Sequence, residues 1–117
     1  MKLVIEKNSS NLIIKLTGPL DLHTAQDFKE QVKKQLTKKI NNVVLDLGTI
    51  DFIDSSGIGA ILSLYKKIDS IGGKIVIINM SSTLKRIFEV SGILKIIESY
   101  ASRQQALENL SRRQINE

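Results

Sequence analysis

The chain has 117 residues, a formal net charge of +5 and no cysteine. Its hydrophobic share of 42% and charged share of 25% are those of a soluble globular protein, and they argue against disordered, collagen-like and membrane classes. At this length we expect one domain over residues 1–117 with a real hydrophobic core. The lack of cysteine excludes disulfide bonds, thiolate zinc sites and thiol nucleophiles.

The positive charge raises the question of nucleic-acid binding, but the sequence lacks the aromatic residues and the basic patch that usually accompany that function. Aromatic residues make up only 4% of the chain. The lysines of the first predicted helix alternate with Asp27 and Glu30, which favours a solvated helix face. No apolar run approaches the ~18 residues that span a bilayer, and the first residues alternate like a strand rather than a secretion signal. We therefore expect a cytoplasmic protein with no direct nucleic-acid partner and no membrane partner.

The first third of the chain predicts a hairpin followed by a helix. Two runs rich in β-formers, Leu3–Glu6 and Leu12–Leu16, flank a cluster of turn formers and predict antiparallel strands. The second strand is expected to stop at Thr17–Pro19, which contains the only proline of the chain. An amphipathic helix should follow, because apolar residues recur there at three- and four-residue spacing. These residues are Ala25, Phe28, Val32 and Leu36.

The middle of the chain predicts a parallel strand–helix–strand unit. The apolar run Val43–Leu47 is typical of a central strand covered on both faces. A second helix should follow and end near Gly72–Gly73. Its apolar stripe consists of Ile58, Ile61, Leu62, Tyr65 and Ile68. Another buried strand, Lys74–Asn79, should then lie parallel to the first, with a right-handed crossover.

The last third predicts two helices and an edge strand. Ser81–Thr83 should cap a short helix that ends at Ser91–Gly92. Its apolar residues are Leu84, Ile87 and Phe88. Ile93–Ile97 is expected to form a short edge strand, and Ser102 with Gln105 matches a capping box that opens the last helix. The inner face of that helix should consist of Ala106, Leu107 and Leu110.

Together these elements predict an α/β domain. The sheet should be mixed, with the antiparallel hairpin at its N-terminal side, and helices should alternate with the later strands and pack on it. The terminal segment Arg112–Glu117 is expected to be a frayed tail.

The segment Leu47–Ala60 joins the central strand to the second helix. Asp54–Ser56 precedes an apolar run with helical spacing, so these residues are expected to form an N-cap and a first helical turn. Gly57 and Gly59 fall in that turn, where each costs about 0.8–1.0 kcal/mol relative to alanine. Either the helix packs closely on the sheet there, or the bare backbone leaves room for another molecule to approach.

Four motifs occur in order along the chain. They are Gly18–Asp21, Asp51–Gly59, Gly72–Gly73 and Lys85–Gly92. With these motifs the sequence resembles the bacterial anti-sigma factor antagonist family, whose fold is the STAS domain. The resemblance covers about the whole chain, and its most specific part is the block that begins at Asp54. A departure is Pro19, where many members of the family carry a charged residue.

The resemblance implies a switch that works by binding and not by catalysis. Members of the family bind an anti-sigma factor that is also a serine kinase, and this releases a sigma factor. Phosphorylation of the serine before the first glycine, which is Ser56 here, switches them off, and a serine phosphatase is a further implied partner. ATP would belong to the kinase, so we expect no catalytic residue, cofactor or metal in this chain, and a monomer or weak dimer. The expected partner-binding residues are Asp21, Asp54, Ser55, Ser56, Gly57 and Ile58.

Several of these residues also have purely structural interpretations. Asp54 and Ser55 are common helix caps, and Asp21 is as readily explained by a cap or an Asx turn as by a partner contact. Two other functions remain open. One is a STAS subunit of another assembly, in stress signalling or lipid transport, and the other, less favoured, is a small nucleotide-binding enzyme.

Sites for catalysis are weakly indicated. Asp46 and Asp51 lack a phosphate-cradling loop, which argues against a magnesium site. A hydrolase triad of Ser56, His23 and Asp54 can be drawn, but the G-x-S-x-G nucleophile elbow is missing. The glycines after Ser56 form only half of a dinucleotide-binding fingerprint.

Overall fold

The N-terminal hairpin forms one side of the sheet. The computed structural model describes residues 1–37 and 39–115, the last three as backbone only. Strand β1 (Lys2–Asn8) pairs antiparallel with β2 (Asn11–Leu20), which confirms the hairpin. The expected stop of β2 at Thr17–Pro19 is wrong. Beyond Thr17 the strand has lost β1 as a neighbour, so a proline without an N–H group is tolerated in it.

Among the residues that the structure describes, the sheet has five strands in the order β1-β2-β3-β4-β5. The three later strands are β3 (Asn42–Ile53), β4 (Lys74–Ile78) and β5 (Glu98–Tyr100). Every pair from β2 to β5 is parallel, so the mixed sheet and the parallel strand–helix–strand unit are confirmed.

Strand β3 is longer than its apolar run. The run ends at Leu47, but the strand continues to Ile53 because its second half pairs with the end of β2, where Leu20 lies opposite Ile53. The hydroxyls of Thr17 and Thr49 add a 3.0 Å hydrogen bond between the two strands. This extension carries the C-terminal ends of β2 and β3 to one end of the sheet, where they lie side by side. This end of the strands, and not a lateral edge strand, is the edge of the sheet that positions the start of α2.

Within residues 1–37 and 39–115, four α-helices cover the two faces of the sheet. They are α1 (Ala25–Gln35), α2 (Ser55–Ser70), α3 (Ser82–Ser91) and α4 (Arg103–Ile115). Helices α1, α2 and α3 contribute buried side chains to the larger core on one face, whereas α4 packs on the other face through Ala106 and Leu110. No helix in the described part of the chain is long and apolar enough to cross a membrane.

The apolar stripes of α2 and α3 differ in part from the predicted ones. In α2, Ile61 and Ile68 are buried as expected, and Leu64 joins them although it was not predicted. In α3, Leu84 and Phe88 are buried, but Ile87 is 39% exposed. A short helix that packs on the edge of a core buries a narrow stripe, so the residue one step off that stripe stays outside.

The predicted edge strand Ile93–Ile97 is wrong. Ile93–Lys95 forms a single 3₁₀ turn, and the edge strand is the following β5. Ile93 and Ile97 both lie in the core, but Lys95, which would share their face in a strand, is exposed, so the segment turns as a helix does. Gly92, with φ +83°, ends α3 and starts this turn in a conformation that favours glycine.

Helix α4 begins as predicted and ends later. The N–H of Gln105 donates to Oγ of Ser102 at 3.2 Å. The helix continues through Ile115, so the predicted tail Arg112–Glu117 is helical up to that residue. Residues 116 and 117 lie outside the described residues.

Candidate partner-binding site

The two candidate serines lie at the start of α2. Asp54 stands between Ile53 and the helix in an extended conformation, with φ −118° and ψ −172°. Its Oδ1 accepts a hydrogen bond from the N–H of Gly57 at 3.0 Å, which confirms the predicted N-cap. Ser55 is exposed and Ser56 is half-buried, both in the first helical turn.

The two glycines of this turn have different roles. A Cβ on Gly57 would lie 2.2 Å from the carbonyl oxygen of Leu20 and 2.8 Å from Cγ1 of Ile53. Gly57 is buried where α2 packs against the end of β2, and this close packing leaves no room for a side chain. A Cβ on Gly59 would meet nothing within 4 Å, so only the second glycine leaves an open backbone.

Asp54 also ties the helix to the loop between β2 and α1. Its N–H donates to the carbonyl oxygen of Leu20 at 3.4 Å, and its Oδ2 accepts from the N–H of Leu22 at 3.2 Å. The two carboxylate oxygens of one residue thus hold two different elements. The loop that contains Asp21 therefore lies at the edge that carries Ser56.

The carboxylate of Asp21 shapes that loop. Its Oδ1 accepts from the backbone N–H groups of His23 at 2.9 Å and Thr24 at 3.2 Å. The hydroxyl of Thr24 donates to the carbonyl oxygen of Pro19 at 3.0 Å. This is the Asx turn that was one interpretation of Asp21. The turn uses one carboxylate oxygen, so it is compatible with a partner contact through the other.

Two apolar side chains at this edge were missed by sequence reasoning. Leu22 is 71% exposed and Phe52 is 55% exposed, whereas the expected contact Ile58 is half-buried against the core. No signal for Phe52 was present in the sequence, because the predicted strand ended at Leu47; in the structure β3 continues, and strand alternation places Phe52 opposite to the core-facing Ile53. Leu22 lies outside the apolar stripe of α1, which marks it as a residue with no place in the core.

Comparison with known proteins identifies the family. A family model for the STAS domain matches residues 2–106. The anti-sigma F factor antagonist of Paenibacillus polymyxa is 32% identical over 111 residues, which span 94% of this chain and 95% of that protein. The chain belongs to the bacterial anti-sigma factor antagonist family.

Solved structures confirm the STAS fold. An anti-sigma factor antagonist from Mycobacterium paratuberculosis has a TM-score of 0.84 at 18% identity, over 94% of this chain and 93% of that chain. The phosphorylated form of the Bacillus cell fate determinant SpoIIAA has a TM-score of 0.71 at 21% identity, over 92% of this chain and 98% of that chain. The predicted fold class is therefore confirmed.

The two segments of this STAS domain that form the edge carrying Ser56 are acidic, although the chain as a whole is basic. Residues 17–24 and 49–59 contain three carboxylates, Asp21, Asp51 and Asp54, and no lysine or arginine. A negative charge added at this edge therefore meets carboxylates of the same sign.

The competing chemistries find little support at this edge of the STAS domain. Both carboxylate oxygens of Asp54 accept from backbone N–H groups, so this residue does not orient His23 as a base for Ser56. Oδ1 of Asp46 accepts from the backbone N–H two residues later, at 2.9 Å. Among the described residues, no group of three or more histidine, cysteine or acidic side chains could hold a metal ion.

Proposed function

We propose that this STAS domain is an anti-sigma factor antagonist that binds an anti-sigma factor serine kinase and so releases a sigma factor. We propose further that phosphorylation of Ser56 ends this binding. The observation that carries the proposal is the position of Ser56, one residue after an exposed serine and next to the carboxylate that links α2 to the Asp21 loop. The names of the relatives support it, since one is called an anti-sigma F factor antagonist and a structural neighbour is a phosphorylated protein.

A phosphate on Ser56 should leave the fold intact. It would add a charge of about −1.5 to −2 in the first turn of α2. The N-terminus of a helix favours an anion by about 0.3–1 kcal/mol, because backbone N–H groups and the helix dipole point toward it. The residue is half-buried and not in the core, so the added group can remain in water.

The same phosphate should oppose docking. A kinase that reaches the hydroxyl of Ser56 must cover this edge of the sheet, where Asp54 already supplies negative charge. Covering a doubly charged phosphate removes water from it, and this costs free energy unless the partner offers matching charges. The switch would therefore act at the surface and not by unfolding.

The test is phosphorylation of the purified chain by an anti-sigma-type serine kinase with ATP, followed by mapping of the site by mass spectrometry. We expect one phosphate on Ser56, lost in Ser56→Ala and retained in the matched control Ser55→Ala. Modification of Ser55 alone, or of neither serine by any such kinase of the source genome, would contradict the proposal. Nucleotide hydrolysis by the chain without a kinase would favour the enzyme alternative.

A further inference from the structure

Leu22 is an exposed apolar side chain at the edge that carries the proposed phosphorylation site. It is 71% exposed, and its backbone N–H is held by Asp54, the N-cap of α2. We propose that Leu22 is an apolar anchor for the serine kinase and that Asp54 positions it. This inference rests on the proposed function and adds a contact and a role to it.

The loop that carries Leu22 is held in one conformation by its own hydrogen bonds. Besides the Asx turn, the N–H of Asp21 donates to the hydroxyl of Thr24 at 2.9 Å, and the N–H of Thr24 donates to the carbonyl oxygen of Asp21 at 3.1 Å. The residues on both sides of Leu22 are thus fixed before a partner arrives. Because the backbone that carries Leu22 is already ordered, docking costs little backbone entropy, so more of the burial of this side chain contributes to affinity.

Asp54 fixes the distance between Leu22 and the serine. One carboxylate oxygen holds the N–H of Leu22 at 3.2 Å, and the other holds the N–H of Gly57, the residue after Ser56, at 3.0 Å. The close approach of Gly57 to the carbonyl oxygen of Leu20 adds a second contact between the same two segments. A kinase that binds Ser56 therefore meets Leu22 at a fixed place beside it.

The inference is tested with two variants that separate the anchor from its positioning residue. Leu22→Ala removes the side chain alone. Asp54→Asn keeps an oxygen that can cap Gly57, because asparagine is a good N-cap, but its amide nitrogen cannot accept the N–H of Leu22. Ile71→Ala is the matched control, since Ile71 is 50% exposed and lies at the opposite end of α2.

The measurement uses each purified anti-sigma-type serine kinase of the source genome, with calorimetry for the Kd and steady-state phosphorylation of Ser56 for KM and kcat. We expect Leu22→Ala to raise Kd and KM about 10- to 100-fold, which corresponds to the burial of one leucine side chain, with little change in kcat. Asp54→Asn should also raise both constants. The double variant should bind no more weakly than Leu22→Ala alone, because the two residues act through one contact. Ile71→Ala should bind like the unmodified chain.

Failure of the inference differs from failure of the proposed function. If the unmodified chain binds a kinase and Leu22→Ala binds within about twofold of it, the anchor is refuted while the proposed function stands. If the effects of Leu22→Ala and Asp54→Asn multiply in the double variant, Asp54 acts on the partner by itself and its positioning role is refuted. If no kinase binds the unmodified chain, the proposed function is refuted and this inference with it. Circular dichroism of each variant establishes that it is folded.

Discussion

Replacing Gly57 with alanine tests whether α2 is pressed against the end of β2. The new Cβ would lie 2.2 Å from the carbonyl oxygen of Leu20, which is backbone and cannot rotate away. Overpacking of this kind costs about 1–3 kcal/mol, and a clash with backbone belongs to the upper part of that range. The higher helix propensity of alanine offsets about 1 kcal/mol of this cost. We therefore expect a net loss of about 1–2 kcal/mol in the free energy of unfolding.

Gly59→Ala is the matched control in the same helical turn. Its Cβ would meet nothing within 4 Å, so only the gain in helix propensity remains, and the variant should be more stable by up to about 1 kcal/mol. Urea unfolding followed by circular dichroism measures both. The midpoint should fall by about 0.5–1 M for Gly57→Ala and rise for Gly59→Ala. Equal stability of the two variants, or a more stable Gly57→Ala, would refute the close packing of α2 on β2.

Two further predictions concern the core and the far edge of the sheet. Phe88 is fully buried, so Phe88→Ala should lower the free energy of unfolding, measured with urea, by about 3–5 kcal/mol. The side chain of Ile87 is 39% exposed, so Ile87→Ala should change the same quantity by less than about 1 kcal/mol. Equal losses would mean that both side chains are core. The hydrogen bond from Arg103 lowers the pKa of Glu6, so this pair stabilises the fold at neutral pH and the contribution is lost as the pH falls through the lowered pKa. Arg103→Gln should therefore lower the urea midpoint slightly at neutral pH and leave it unchanged in strong acid, and an equal effect at both would contradict this role.

The order of elements and their inner faces were predictable because apolar spacing reports which side of an element meets the core. Phe28 and Val32 of α1 and Ala106 of α4 are buried where the spacing placed them. Strand ends were not predictable in the same way. The polar end of β3 looks like a turn in composition, and it remains a strand because β2 continues beside it. Such pairing depends on two distant segments, and no local pattern reports it.

In the candidate site, too, local features were predictable and contacts between distant segments were not. The cap at Asp54 was predicted because its signal lies within a few residues of sequence. Its bond to Leu22 joins residues 32 positions apart, so it became visible only in the fold. The two glycines look alike in sequence, yet Gly57 faces a carbonyl oxygen and Gly59 faces open space. Whether a glycine serves packing or access depends on the atoms that face it. For Gly57 in α2 that neighbour is Leu20, which belongs to β2 and is distant in sequence.

The central claim is that Ser56 carries the charge that decides whether a kinase can dock. The most direct measurement is the affinity of one anti-sigma-type serine kinase for the unmodified chain and for the chain phosphorylated at Ser56. The account predicts binding of the unmodified chain and at least about tenfold weaker binding after phosphorylation, with unchanged circular dichroism. Equal affinity of the two forms, or loss of the fold on phosphorylation, would contradict it.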